Sequence, residues 1–372
     1  MTTVGDIIRC LEDLAPPDLA ASYDNVGLLA GDRRAVCRGV LLCLDVTEAV
    51  LAEAERRGCD LVVSHHPPVF GSLRRVTTDD ATGRLLTRAL RAGISLYAAH
   101  TNLDHVADGI NGWLADAFGL TDRRVLQPLP GRLLLLHTYV PEAHLAAVRQ
   151  ALFDAGAGHV GAYDHCSFSA AGTGTFRAGP GADPWVGRIG ADHAEPEQRL
   201  EVILPDRLAD RVLAALRAAH PYEEVAYGFL RTENPMPGIG AGLLGRLPVP
   251  MSEADLLDLA RRRCSTPCIR HSPPTGRTVS TLALCGGAGA PLIADALAAG
   301  ADAFLTADLK YHDFFRPDGR MLLADIGHFE SEAGFMAGVH ARLAEKFPTF
   351  AVLKTETDTN PVNYHPPSIW PL

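Results

Sequence analysis

Short apolar runs alternate with amphipathic stretches in two separate blocks of the chain. Between residues 39 and 128 the pattern reads "GVLLCLDVT" as a strand, "EAVLAEAERRG" as a helix, "CDLVVSHH" as a strand, "TGRLLTRALRAG" as a helix and "ISLYAAHTNLD" as a strand. Residues 278 to 353 run "TVSTLALCGG" (strand), "APLIADALAAG" (helix), "ADAFLTAD" (strand), "RMLLADIG" (strand) and "HFESEAGFMAGVHARLAEKF" (helix). Strands that are apolar throughout, separated by helices with one apolar face, predict an α/β fold with largely parallel sheets covered on both sides. The opening "MTTVGDIIRCLEDLAPPDLA" reads as an amphipathic helix without the charged-then-apolar order of a signal peptide.

The two blocks match at a constant spacing of 242 residues: Cys43 with Cys285, Ala54 with Ala296, Gly58 with Gly300, Asp60 with Asp302, and Ser64 with Thr306. This predicts an internal duplication of one β-α-β unit, with a site in the cleft between two packed halves. The segment between the blocks differs. It holds "GRLLLLHTYVPEAHLAAVRQALFDAGAG" (strand, helix), a glycine-rich "SAAGTGTFRAGPGADPWVG", "QRLEVILP" (strand), "DRLADRVLAALRAAHP" (helix) and "EEVAYGFLR" (strand). That order predicts an inserted ferredoxin-like α+β domain, an antiparallel sheet with helices on one face. "NPMPGIGAGLLG" reads as the return linker. The expected organisation is a three-layer α/β/α core split between residues 1–128 and 247–372, with the insert at 129–246.

Composition narrows the class. Hydrophobic residues are 47% and charged residues 21%, as in a soluble globular protein. The net charge of −10 argues against a general grip on nucleic acid. No apolar run reaches the roughly 20 residues needed to span a bilayer. Eight scattered cysteines read as reduced thiols of a cytoplasmic protein. Cys264 and Cys268 are the only close pair; with no second pair to complete a zinc site, they read as incidental.

The chemistry collects at strand ends, where open parallel sheets bind ligands. "VVSHHPPVF" ends a strand in His65 and His66, and Pro67 and Pro68 lock the exit by fixing φ. "AAHTNLDHV" ends the next with His100, Asn102 and Asp104, although Asp104 taken alone could be a helix N-cap. "DIGHFESE" brings His328 and Glu332, four apart and so on one face of a helix. His65, His66, Asp104, His328 and Glu332 offer three imidazoles and two carboxylates, a donor set suited to a pair of divalent ions such as zinc, iron, manganese or nickel. "TADLKYHDFF" places Asp308 at the position matching His66, then Lys310, Tyr311 and His312. These three, with His100, are candidates to shuttle protons or hold phosphate. "CGGAGAP" could bind an anion through its amides, but a tight strand-to-helix turn is the favoured reading.

"YDNVGLLAGD", "SHHPPVF", "AAHTNLDHVADGINGWLA", "CGGAGAPLIADALAAGADAFLTADLKYHDFF" and "DIGHFESE" together resemble the signatures of the NIF3-like family, also called GTP cyclohydrolase 1 type 2 homologues. "GAGHVGAYDHCSFSAAGTGTF" and "AAHPYEEVAY" resemble the PII- and CutA-like middle domain of its longer bacterial members. The resemblance implies a dinuclear metal site in which His66 and Asp104 bind one ion, His65 and His328 lie at or near the other, and Glu332 bridges both. It also implies a toroidal homohexamer with the sites facing inward. Ala307 stands where glycine is common in the family, a departure that leaves the ligands untouched. Two functions follow as expectations. One is a metal-dependent hydrolase acting on a small molecule or nucleotide, with GTP ring opening and formate release as its reaction. The other is a non-catalytic metal-binding scaffold or regulatory ring.

Overall fold

The computed structural model describes residues 1–365. It contains two compact units: Met1–Gln127 together with the chain from Gly238 onward, and Pro128–Pro237.

The first unit is a mixed α/β fold with two sheets. One orders its strands Gly27–Ala30, Ser95–Ala98, Leu61–Ser64, Gly39–Cys43, Ala351–Lys354. Only the edge strand Gly27–Ala30 is antiparallel to its neighbour. The other orders Arg270–His271, Leu322–Asp325, Ala303–Ala307, Thr278–Ala288, Gly240–Ser252, Thr121–Pro128. Its strands 278–288, 303–307 and 322–325 are parallel. The strands Gly39–Cys43, Leu61–Ser64, Ala303–Ala307 and Leu322–Asp325 are buried at every position, which is why they read as continuous apolar runs.

Side chains alternate between the faces of the first sheet. Val40, Leu42 and Val63 pack with Ile7 and Ile8 of the helix Val4–Leu14 and with Val339 and Leu343 of the helix Gly334–Lys346. Leu41, Cys43 and Val62 pack on the other side with Val50 and Leu51 of Glu48–Arg56 and Leu86 of Ala81–Ala92. Each such fully buried Leu, Ile or Val contributes about 1.5–3 kcal/mol relative to exposure. Helix starts are set by side-chain caps: Thr3, Thr47 and Asp80 accept from the amides of Asp6, Val50 and Gly83.

The repeat seen in the sequence recurs in the ladder. Val40 pairs with Leu61 and Leu282 with Ala303; Leu42 pairs with Val63 and Leu284 with Leu305. The hydrogen bonds Asp60 N–H to Gly39 O (3.0 Å) and Asp302 N–H to Thr281 O (2.9 Å) keep the same spacing.

Two local expectations change. The strand expected through "AAHTNLD" stops at Ala98, and Thr101–Asp104 is a short helical turn. Asp104 therefore does not cap the following helix, which begins at Ile110 after Gly109. The stretch read as a return linker enters the strand Gly240–Ser252, paired with Thr278–Ala288. Pro248 and Pro250 fall where the register with Thr278–Ala288 shifts, between Arg246 and Met251, so their missing N–H groups interrupt none of its paired positions.

The second unit is a four-stranded sheet ordered Phe168–Arg177, Asp192–Pro205, Leu133–Pro141, Tyr227–Arg231, antiparallel throughout. The helices Leu145–Asp154 and Ala209–Ala219 bury Val148, Leu152, Val212 and Leu216 against Leu134, Leu136, Leu200 and Val202 of the sheet.

Candidate metal centre

Ser64 ends its strand and accepts the turn onto itself: its hydroxyl donates to His66 O at 2.8 Å. This delivers two consecutive imidazoles to the carboxyl edge of the first sheet. His65 is fully buried and donates from Nδ1 to Ala99 O at 2.7 Å. His66 donates from Nδ1 to Asp45 Oδ1 at 2.8 Å. His328, which opens the helix His328–Glu332, donates from Nδ1 to Asp308 Oδ2 at 2.8 Å. His100 donates from Nδ1 to Asp24 Oδ1 at 2.9 Å. In all four rings Nδ1 is tethered, which selects the tautomer leaving Nε2 as a free donor of electrons, as at metal-binding imidazoles.

Those free nitrogens converge. His66 Nε2 is 3.3 Å from His328 Nε2 and 3.0 Å from Glu332 Oε2; His328 Nε2 is also 3.3 Å from Glu332 Oε2. His65 Nε2 is 3.6 Å from Asp104 Oδ1 and 3.6 Å from Glu332 Oε1. Two groups of donor atoms, His65–His66–His100 and His66–His328–Glu332, each lie within 4.8 Å of one another. Two ligands that each sit about 2.0–2.2 Å from one ion are roughly 3.0–3.5 Å apart. His65 Nε2 and Asp104 Oδ1 are buried with no hydrogen-bond partner. Orphaned buried polar atoms are costly, and a bound cation would satisfy both. The five residues fit divalent metal.

Electrostatics point the same way. Burial opposes charge on His66, yet hydrogen bonds to Asp45 and Glu332 outweigh it and raise its pKa to about 10. Burial likewise opposes charge on His328, but its bonds to Glu332 and Asp308 raise it to about 9. His65 is raised against burial by the charges of Glu332 and Asp104. Glu332 is held well below the usual carboxylate range, because the three imidazoles overcome its burial. Asp104 is raised, by burial first and then by Glu332. Asp24 is held far below the ordinary value: bonds from His100 and Thr101 overcome burial. The cluster favours positive charge at its centre.

The resemblance implies that Asp104 shares an ion with His66. The nearest approaches set Asp104 against His65, and His328 against His66, with the two oxygens of Glu332 divided between the sides. His100, expected as a proton carrier, stands in the cluster, its ring 5.2 Å from that of His65 and 5.5 Å from that of His66. Asn102 is structural: it donates to Ala15 O at 2.6 Å and accepts from the His100 amide at 2.9 Å. Lys310, Tyr311 and His312 lie on an exposed turn. Among the described residues, their ring contacts are with each other and with Phe315, and none is with the five ligands.

Sequence reasoning gave no role to Asp24 or Asp45, and recorded Asp308 only as the counterpart of His66. Asp45 carries a signal, since it sits two residues beyond Gly39–Cys43 at the same sheet edge. Asp308 has φ +56, a left-handed conformation that Asp tolerates better than most residues and that collects at functional sites. Cys264 is buried and Cys268 exposed, and all eight cysteines are free.

Two of the "CGGAGAP" amides are already engaged. Gly286 N–H donates to Asn111 Oδ1 at 3.0 Å and Gly287 N–H to Ser331 Oγ at 2.9 Å. Gly287 lies in the strand Thr278–Ala288 rather than in a turn, where the register with Ala303–Ala307 shifts, and forms a floor for Glu332: a Cβ on Gly287, at φ +61, would collide with Glu332 Oε1. Gly287→Ala should therefore displace Glu332 and weaken metal binding at least tenfold while the fold persists. Metal titration beside far-ultraviolet circular dichroism checks this; unchanged affinity would remove the floor role.

The comparisons with known proteins follow the same lines. The family model for Duf34/NIF3 (NGG1p interacting factor 3) matches residues 2–361. A Mycobacterium tuberculosis protein named "GTP cyclohydrolase 1 type 2 homolog" is 41% identical over 337 residues, 88% of each chain. A Bacillus subtilis protein of the same name is 36% identical over 367 residues, covering 96% of this chain and 97% of that one. The crystal structure of a Bacillus cereus protein related to NIF3 superposes with a TM-score of 0.82 at 32% identity, covering 98% of this chain and 99% of that one. With these signatures, this fold and these matches, the chain belongs to the Duf34/NIF3 family.

Proposed function

We propose that the protein is a metal-dependent hydrolase working with two divalent ions held by His65, His66, Asp104, His328 and Glu332. The observation that carries this reading is the pair of buried, unpartnered atoms His65 Nε2 and Asp104 Oδ1, 3.6 Å apart, with Glu332 Oε1 3.6 Å from the same nitrogen. A donor set of nitrogen and oxygen suits zinc, iron, manganese or nickel. When bound, a pair of such ions supplies a water of lowered pKa and a clamp for developing negative charge.

The chain's own residues supply the rest. Asp45 and Asp308 hold His66 and His328 in one tautomer and one orientation. His100, steadied by Asp24, presents its free nitrogen beside His65 and His66, where it carries protons to and from the reacting group. The relatives' name supports GTP as substrate. A first water then adds at C8 of the purine and the C8–N9 bond breaks, which opens the imidazole ring to a formamide; a second water cleaves that formamide, so that C8 leaves as formate and the nitrogen keeps the proton as an amine. Lys310, Tyr311 and His312 are assigned to the triphosphate at the exposed edge.

The reading extends to architecture. Pro128–Pro237 is a ferredoxin-like insert of the PII/CutA kind, a view supported by its β-α-β-β-α-β order, and the whole chain forms a toroidal homohexamer. Replacing Pro128–Pro237 by a short flexible linker should leave metal stoichiometry unchanged; loss of all metal from a folded, soluble deletion protein counts against an independent insert. The function itself is tested by incubating metal-loaded protein with GTP and other nucleotides and assaying formate. Release that disappears with His100→Ala supports the hydrolase. Full loading with no release from any nucleotide makes the protein a metal-binding scaffold.

A further inference from the structure

We propose that the Pro128–Pro237 unit carries a binding site for a small organic cation, an amine or guanidinium with an apolar body. A cavity of about 690 Å³ opens in this unit, and none of its lining residues belongs to the metal centre. That volume holds a small molecule. One wall is the strand Phe168–Arg177, whose "SAAGTGT" run has only small side chains and so leaves the space open.

Among the described residues, the carboxylate of Glu197 in this cavity makes no ion pair, and the nearby His220 is held below its ordinary pKa by burial despite the charge of Glu197. Glu197 is 9% exposed, and its Oε1 accepts a hydrogen bond from the Tyr222 hydroxyl at 2.8 Å. The two arginines lining the cavity are engaged elsewhere: Arg177 with Asp192 at 2.6 Å and Arg199 with Glu201 at 2.7 Å. A nearly buried carboxylate hydrogen-bonded to a neutral phenol is a favourable partner for a bound cation. Gly174 makes room for it, since a Cβ there would collide with Glu197 Oε2.

Aromatic faces stand beside this anion. Trp185 and Tyr222 have centroids 5.9 Å apart with planes tilted by 46°, an open V, and Tyr139 is a third lining ring. The loop bearing Trp185 is fastened by the Asp183 N–H, which donates to Glu223 Oε1 at 2.9 Å. Carboxylate plus aromatic faces is the chemistry that selects organic cations. Glu223 and Glu224 at the same cavity add negative charge and disfavour an anion.

The test is calorimetric titration of the full-length protein with tetramethylammonium and with agmatine, using tert-butanol as the neutral counterpart. Saturable uptake of at least one cation at one site per chain is expected, with no saturable uptake of tert-butanol. Glu197→Gln should weaken that uptake at least tenfold. Trp185→Leu, at a half-exposed position that the core does not need, should weaken it several-fold. Metal content should stay unchanged in both variants, which separates this site from the metal centre. No saturable binding of either cation, equal uptake of tert-butanol, or undiminished binding in both variants overturns the proposal. The first of these is also the result if a second copy of the chain closes over the cavity.

Discussion

Glu332→Gln protein should lose both metal ions together. Glu332 is 3% exposed, and its oxygens divide: Oε1 approaches His65, while Oε2 approaches His66 and His328. Two cations close enough to be served by neighbouring histidines repel each other, and a shared carboxylate offsets that repulsion. The glutamine keeps the shape and removes the charge. Each affinity should fall by about 100-fold or more, roughly 2.7 kcal/mol. Asp104→Asn should loosen one ion only. Asp104 Oδ1 lies 3.6 Å from His65 Nε2, whereas the family resemblance implies that Asp104 shares its ion with His66. Pairing Asp104→Asn with His65→Ala and with His66→Ala in double-mutant cycles decides between them, because coupled ligands depart from additivity. Calorimetric metal titration is the readout; a Glu332→Gln protein binding two ions with unchanged affinity would falsify the bridge.

The second large effect is on stability. Glu53 is 1% exposed and accepts from Arg57 Nη1 (2.6 Å), Thr355 Oγ1 (2.6 Å), Thr357 Oγ1 (2.8 Å), the Glu356 amide (3.0 Å) and the Thr357 amide (3.3 Å). It fastens the helix Glu48–Arg56 to the segment after the edge strand Ala351–Lys354. Glu53→Ala strands these donors and should destabilise the protein by about 3–5 kcal/mol, as for a broken buried pair. Hydrogen bonds outweigh burial and lower the Glu53 pKa to about 2. A depressed carboxylate contributes fully above its unfolded value of about 4.3 and loses that contribution as pH falls through the folded value. The gap in urea midpoint between wild type and Glu53→Ala should therefore be widest near neutrality and narrow from about pH 5 down to pH 2. Equal midpoints at pH 7 would show that the network contributes nothing.

Much of the site was readable before any coordinates. Strands buried on both faces must be apolar throughout, so "LLCLDV", "LVVSHH" and "LLADIG" announce both a parallel strand and the point where it leaves the sheet. Polar residues just past that point arrive at the ligand edge, which is how His65, His66 and His328 could be picked out. The four-residue spacing of His328 and Glu332 set them on one helical face, and they are 3.3 Å apart. The repeat likewise survives as a shared ladder register.

The tethers were not readable. Asp24 acts on His100 across 76 residues and Asp45 on His66 across 21, and a carboxylate at such a distance becomes a tether only when folding sets an imidazole opposite it. Nor was the strand Gly240–Ser252, whose glycines and prolines mark a linker locally but whose pairing with Thr278–Ala288 overrides that preference. By itself the sequence determined which residues are buried and which stand at strand ends, because periodicity and capping act between near neighbours. The tertiary structure alone decided which carboxylate meets which histidine, because those contacts depend on how distant segments pack across the two sheets.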